Sequence, residues 1–298
     1  MTPVDKRGAV IVVLLAGVLF GTTGAARIFS DVQASSTSIA AARLGIGAIG
    51  LVAVTTMQRG AAELIALWKR PRVWIMGGSV ATYMATFFAA VQLAGAAVAS
   101  LVSISLAPLL AGTIARMFGS PWPGRIWAIS TALAVVGIVL LSAPTSSQTG
   151  DHRVLGALSA AVAAAAYAFY TVVGARLVDE GSHATDGLAA SFSIGAVLLF
   201  PFLAMDFHWM LTPHGLALAL WLGVASTTLS YILFGVGITH LAPGVVATLL
   251  LSEPFVATMF GVFLLNEPMA LRGWFGCILI LVGLLMVSRN ERKTVPPV

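Results

Sequence analysis

Ten stretches of about twenty mainly apolar residues follow one another along the chain, at approximately 9–28, 36–57, 73–93, 97–118, 125–143, 154–177, 187–205, 214–238, 243–265 and 271–288. A helix needs roughly 20 such residues to cross the hydrocarbon core of a bilayer, where each backbone N–H and C=O must be satisfied within the segment. Charge is scarce enough to agree: 9% of the 298 residues are charged, against roughly 25% in soluble domains. The fold expected is an all-α integral membrane protein with ten transmembrane helices. Its loops are too short to hold domains, so its function must lie within the bilayer. The least marked division is between the third and fourth runs, where only Ala94-Gly95-Ala96 intervenes.

The first run has a rival reading. Lys6-Arg7, an apolar stretch and then Thr23-Gly24-Ala25 resemble a secretory signal with a small-residue cleavage site. The stretch is long for a signal, and the repeat described next requires it, so it is read as a membrane helix.

Lys and Arg counts give the orientation. With a cytoplasmic N-terminus, that side carries twelve: Lys6, Arg7, Arg59, Lys69, Arg70, Arg72, Arg116, Arg125, Arg176, Arg289, Arg292 and Lys293. The opposite side carries Arg27, Arg153 and Arg272, and Arg43 falls inside the second run. Both termini are therefore expected in the cytoplasm. The formal charge of +5 resides in these short loops, which disfavours nucleic acid as a partner. The single cysteine, Cys277, excludes an intrachain disulfide and a multi-cysteine metal site.

The halves 1–150 and 151–298 match each other. At an offset of 146, Pro108 pairs with Pro254, Ala111 with Ala257, Leu133 with Leu279, Gly137 with Gly283 and Ser142 with Ser288. At an offset of 148, Ile46-Gly47-Ala48 pairs with Ile194-Gly195-Ala196, and Ala41-Ala42 with Ala189-Ala190. Five helices per half is an odd number, so the second repeat enters from the opposite side. Such inverted repeats are built around a site near the bilayer midplane in secondary transporters.

The offset of 148 also aligns Ser79-Val80-Ala81-Thr82-Tyr83 with Thr227-Thr228-Leu229-Ser230-Tyr231. Spacings of three and four put these groups on one helical face, and Thr86 extends the first stripe. A cavity shared by the two stripes is one reading. Hydroxyls bonded back to carbonyls of their own helix, or gluing neighbouring helices, are the other. Tyr167, Tyr170 and Thr171 share a face of the sixth run beside Phe169; that face suits an amphipathic solute or ordinary packing alike. Gly156, Ala160 and Ala164 give the same run a close-packing face. Ser100 and Ser103 lie on one side of the fourth run, and Gln92 near the end of the third.

Two charges lie deep in apolar runs, Arg43 and Glu253. Such groups are costly and usually face a cavity or a partner. For Arg43 a functional site and a structural ion pair weigh equally. Glu253 precedes Pro254, and it could pair with Arg43, cap a kink or carry a proton. Enzyme signals are lacking: there is no P-loop, no HExxH, no nucleophile elbow and no metal-spaced histidine cluster. Neither an enzyme, nor a metal, nor a cofactor is expected.

Leu19-Phe20-Gly21-Thr22-Thr23, then Ala41-Ala42-Arg43-Leu44, and the closing Glu253-Pro254, Asn266-Glu267-Pro268, Gly276 and Gly283 together resemble the drug/metabolite transporter superfamily. Within it, the chain is similar to EamA-type ten-helix transporters, and in its aromatics and small polar groups to the YddG-type amino-acid exporters. The resemblance spans both halves. It implies a central cavity lined by helices one to four and six to nine, with five and ten peripheral, and alternating access by rocking of the halves. The first half departs from it, since Ala107 and Pro121 stand where the second half has Glu253 and Glu267.

The function expected is export of small metabolites across the bacterial inner membrane, foremost amino acids with aromatic or apolar side chains. Drugs, purines or nucleotide sugars are the nearest alternative cargo, and a membrane-embedded enzyme or a receptor ranks below them. The candidate binding residues are Ser79, Thr82, Tyr83, Thr86, Phe87, Ser103, Tyr167, Tyr170, Thr227, Ser230 and Tyr231. Arg43 and Glu253 serve as coupling or structural charges, and Pro108 and Pro254 as kinks. The expected partners are the cargo and the lipid bilayer, and a monomer is favoured over an obligate oligomer.

Overall fold

In the computed structural model, which describes residues 6–94, 96–142, 153–264, 266 and 269–293, large apolar side chains face outward as well as inward, so polarity does not separate the outside of a helix from its inside. The first helix, α1 (Lys6–Ser30), buries Ala9, Val13, Ala16, Gly17 and Gly21 while Ile11, Leu15 and Val18 are exposed. Lipid is as apolar as leucine, so helices associate where small residues let backbones approach.

Local signals set the ends of the elements. Ser35 caps α2 (Ser36–Arg59) by accepting from the Ser38 N–H at 3.2 Å, and Gly60 ends it at φ 88°, a conformation that glycine takes without strain. The short α3 (Ala61–Trp68) buries Leu64 and Leu67. Pro71 then opens α4 (Pro71–Ala94), where a missing N–H costs nothing. Next come α5 (Ala96–Met117), α6 (Arg125–Ser142), α7 (Arg153–Asp179) and α8 (Ala184–Met205).

The eighth span is irregular: α9 (Pro213–Leu220) and α10 (Ser230–His240) are joined without a break by a π-helical stretch, Trp221–Leu229. The ninth is interrupted, with α11 (Pro243–Leu249) and α12 (Ser252–Leu264) on either side of Leu250 and Leu251; α13 (Leu271–Lys293) follows.

No strand occurs among the described residues, and nine of their helical segments are long and apolar enough to cross a bilayer. The fifth expected span appears as a shorter apolar helix, Arg125–Leu141, and the boundary between the halves, in 143–152, lies outside the described residues, as does Glu267-Pro268. The chain is a multi-pass membrane protein.

Pro108 lies inside the continuous α5, whereas Pro254 falls in the first turn of α12, after the break. The two prolines, expected as matching kinks, therefore occupy unlike settings. A first turn has no intrahelical use for the missing N–H, so Pro254 is accommodated where the helix restarts.

The main packing partners are α6 with α13, α4 with α7 and α8, α5 with α7, α2 with α8, and α1 with α10 and α12. Glycines set the α6–α13 approach. A Cβ on Gly137 would stand 2.6 Å from the carbonyl oxygen of Gly276, and one on Gly283 would stand 2.5 Å from that of Ser130. The α2–α8 pair is tied at both ends. At one, the buried Asp186 accepts from Thr55 Oγ1 at 3.0 Å and pairs with Arg59 Nη1 at 2.6 Å. At the other, Asp206 Oδ2 accepts from the Ser35 N–H at 2.8 Å, and Ser38 Oγ accepts from Trp209 Nε1 at 2.9 Å.

Gly137→Ala should therefore destabilise the protein by about 1–3 kcal/mol through overpacking. Gly78→Ala, where a Cβ meets open space, should be neutral or stabilising by up to about 1 kcal/mol, because alanine gives up less chain entropy in a helix. Melting temperatures in one detergent separate the two, and equal shifts would discard the glycine account of the α6–α13 contact.

At the other junction, the hydrogen bonds from Ser35, its backbone N–H first, hold the Asp206 carboxyl below the usual carboxylate range. A depressed folded-state pKa adds stability at pH values above the ordinary carboxylate range, and that increment is lost as pH falls through the folded value. The melting temperature of wild type should exceed that of Asp206→Asn near neutral pH, and the gap should close on acidification. A gap that does not depend on pH would exclude this origin.

Candidate functional site

A cavity of about 400 Å³ opens among the spans. Its lining comes from α1, α2, α4, α5, α7, the π stretch, α11 and α12, and from Leu250 and Leu251 at the break. Neither α6 nor α13, the fifth and tenth runs, contributes to it, and α8, the seventh, does not either. The exposed Arg27 stands at its mouth and donates to Ser36 Oγ at 2.8 Å.

Tyrosines floor it. The rings of Tyr83 and Tyr167, both in the lining, meet edge to face at 5.8 Å, and Tyr167 meets Tyr170 at 5.1 Å. Tyr170 and Tyr231 share a hydrogen bond between hydroxyls at 3.1 Å, and Tyr231 also packs against Phe20 at 5.1 Å and Phe192 at 4.4 Å. The chain has four tyrosines, and all four are in this cluster. Edge-to-face pairs of this kind add about 0.5–1.5 kcal/mol each beyond area burial, so the floor is a well-bonded unit.

Both deep charges reach the cavity, and they do not form an ion pair with each other. Arg43 donates from Nε to Thr227 Oγ1 at 3.0 Å and from Nη2 to the Ser226 carbonyl at 3.2 Å. Its guanidinium carbon also lies 5.8 Å from the centroid of the Phe20 ring. Glu253 is placed by the break in the ninth span, where its N–H bonds to the Leu250 carbonyl at 2.9 Å. Its carboxylate lines the cavity and has no hydrogen-bond partner among the described residues.

The π stretch is bonded in a distinctive way. Thr227, Thr228 and Ser230 donate to carbonyls five residues earlier, those of Leu222 at 2.7 Å, Gly223 at 3.0 Å and Ala225 at 3.1 Å. Single π turns inside helices occur frequently at functional sites. Here the turn carries the groups that hold Arg43.

Of the residues nominated from sequence, Tyr83, Phe87, Ser103, Tyr167, Arg43 and Glu253 line the cavity together. Ser79 and Thr86 donate back to the carbonyls of Ile75 and Thr82 at 2.8 and 2.7 Å, and Thr82 is exposed outside the lining. Thr227, Ser230, Tyr170 and Tyr231 are buried beyond the lining. In the hydroxyl stripes most groups are thus satisfied by their own helix, as hydroxyls surrounded by hydrocarbon commonly are. Ser103 lines the cavity while donating to the Ala160 carbonyl at 3.0 Å, which ties α5 to α7. Gln92 borders a second, smaller pocket of about 170 Å³.

Residues not nominated include Phe20, Thr23 and Phe88 in the lining, and Ser226 behind it, whose hydroxyl meets Thr23 Oγ1 at 2.9 Å. The signal in α1 was the pair Gly21 and Gly24, three residues apart. A Cβ at Gly21 would strike Val256 of α12, whereas one at Gly24 would meet nothing. One glycine lets α12 approach, and the other leaves room in the cavity.

Comparison with known proteins agrees with this architecture. Residues 154–289 match the EamA-like transporter family. The chain is 35% identical to the uncharacterized transporter YwfM of Bacillus subtilis (strain 168) over 284 residues, covering 94% of each. It is 28% identical to the threonine/homoserine exporter RhtA of Escherichia coli (strain K12) over 265 residues, 83% of this chain and 85% of that one. It is 24% identical to the inner membrane transporter YicL of Salmonella typhimurium over 300 residues, 97% and 98% respectively. A protein of known crystal structure superposes with a TM-score of 0.77 at 19% identity, covering 97% of this chain and 99% of the other, which shows a shared fold. The apolar spans and these bacterial relatives make the chain a multi-pass protein of the bacterial inner membrane, and with the matched domain and the extent of its likeness to YwfM it belongs to the EamA-like transporter family.

Proposed function

We propose that this transporter exports zwitterionic small metabolites, amino acids foremost, by alternating access through the central cavity. One observation carries the cargo class: a single cavity holds a guanidinium anchored by protein and a carboxylate that protein leaves unpaired. Arg43 takes the cargo carboxylate and Glu253 its ammonium group. Phe20, Phe87, Tyr83 and Tyr167 form the adaptable wall for an aromatic or apolar side chain. The name of the relative RhtA supports amino acids as a class and extends the range to small hydroxylated side chains. Several basic residues would be wanted for a phosphorylated cargo, and Arg43 is the one at depth. No cofactor is needed, and the monomer holds the entire site.

The same proposal divides the chain into inverted repeats, 1–150 and 151–298, with both termini cytoplasmic. The packing supports this, because exchanging the repeats turns the α4–α7 contact into the α10–α1 contact, and the α5–α7 contact into the α12–α1 contact. Glycines agree: the Gly137–Gly276 approach becomes the Gly283–Ser130 approach. Ala107 and Glu253, related by the offset of 146, both line the cavity. With this orientation the mouth at Arg27 faces outward, and the tyrosine floor and the Arg59–Asp186 pair lie toward the cytoplasm.

In proteoliposomes, saturable flux of labelled threonine, homoserine or phenylalanine is expected. Arg43→Gln and Glu253→Gln should each lower flux at subsaturating cargo about tenfold or more, the usual scale for a lost charge-assisted hydrogen bond. Full flux in both variants would refute the cargo reading.

An imposed pH gradient separates the two uses of Glu253. Flux of equal size with and without the gradient supports an ammonium partner. Flux that depends on the gradient in wild type and loses that dependence in Glu253→Gln would reassign this carboxylate to proton coupling. Direction is read in cells, where overexpression should lower the content of toxic amino-acid analogues and raise resistance to them.

A further inference from the structure

Arg43 is useful as an anion-binding group only if its guanidinium is fixed, since a flexible arginine could fold onto its own helix or swing to Glu253. We infer that Thr227, which lies outside the cavity lining, is the positioning residue that fixes it, and that Thr227 thereby sets the cavity's affinity for carboxylate-bearing cargo. This inference rests on the proposed role of Arg43.

The hydrogen-bond directions leave Thr227 a single role. Its proton is committed to the Leu222 carbonyl at 2.7 Å, so its oxygen presents a lone pair to Arg43 Nε at 3.0 Å. The Ser226 carbonyl, one residue earlier in the same π stretch, holds Nη2 at 3.2 Å, and the Phe20 ring lies against the guanidinium. Nε and Nη2 are thus both held from one direction. Nη1 makes no hydrogen bond among the described residues, which leaves it for the cavity that Arg43 lines. An α-helical turn would direct a threonine hydroxyl to the carbonyl three or four residues back; the five-residue reach of Thr227 is a property of the π turn. Thr227 and Ser226 therefore act on cargo through Arg43, from outside the lining.

Thr227 also packs, since a Cβ on the facing Gly47 would strike its methyl carbon. Two substitutions separate packing from positioning. Thr227→Val keeps the methyl and the shape but removes the hydroxyl; Thr227→Ser keeps the hydroxyl and removes the methyl. With positioning, Val raises the KM for threonine about tenfold, the scale of one hydrogen bond to a charged group, with a smaller change in maximal rate, and Ser stays near wild type. Inhibition by threoninol, the amino alcohol without a carboxylate, stays the same in all three proteins. With packing alone the order reverses, so that Val behaves as wild type and Ser is impaired, and that result overturns the inference.

A cargo-free measurement guards against failure of the amino-acid reading itself. Phenylglyoxal labelling of Arg43, resolved by mass spectrometry, should run several-fold faster in Thr227→Val than in wild type or Thr227→Ser, because Nε loses its acceptor and the guanidinium is left with the Ser226 carbonyl alone. If wild type moves no amino acid, the cargo reading falls, yet the labelling contrast still decides the positioning role. Equal labelling in all three proteins refutes it.

Discussion

Lipid surrounds these helices with a solvent as apolar as their own side chains, so contact between backbones must supply what water exclusion supplies elsewhere. The rest of the structure depends on that constraint. Where glycine or alanine faces glycine or alanine, as between α6 and α13, the helices close and hold. Where Phe20, Phe87 and the tyrosines project inward, they cannot close, and the space between them is the cavity. One distribution of side-chain size thus builds both the scaffold and the site.

Irregular backbone is confined to the places where that space needs it. A span in hydrocarbon tolerates a break only if protein or a polar cavity satisfies the freed groups. The break at Leu250 and Leu251 and the π stretch Trp221–Leu229 both border the cavity. The break delivers Glu253, and the π stretch delivers the groups that hold Arg43. Regular α-helix would present neither in this way.

The spans were legible in sequence because hydrocarbon thickness sets a length that composition can show, as with the runs that became α1, α2 and α4. The Gly137–Gly283 match was legible for a similar reason, since only glycine permits such an approach. The hydroxyl stripes were less so. Ser79 and Thr227 share a sequence pattern, but a hydroxyl can satisfy itself within its own turn, and pattern does not tell which hydroxyls do. The π turn left no local signature, because Thr-Thr-Leu-Ser-Tyr fits an α-helix equally well. Pro254 showed that the chain would depart from a straight helix; that it restarts a helix where Pro108 continues one depends on tertiary packing.

The two deep charges both stand where the proposed repeat is broken. Arg43 aligns with Ser191, and Glu253 with Ala107. A strictly symmetric cavity would carry each charge twice, with like charges facing across the axis, and would offer a zwitterion no preferred orientation. Placing one sign in each half gives the cavity a direction. Under the proposed function, an ammonium group and a carboxylate on one carbon are then held together, while the repeat proposed around them stays free to exchange its two halves. On the proposed reading, symmetry serves the motion, and its violation at two positions serves recognition.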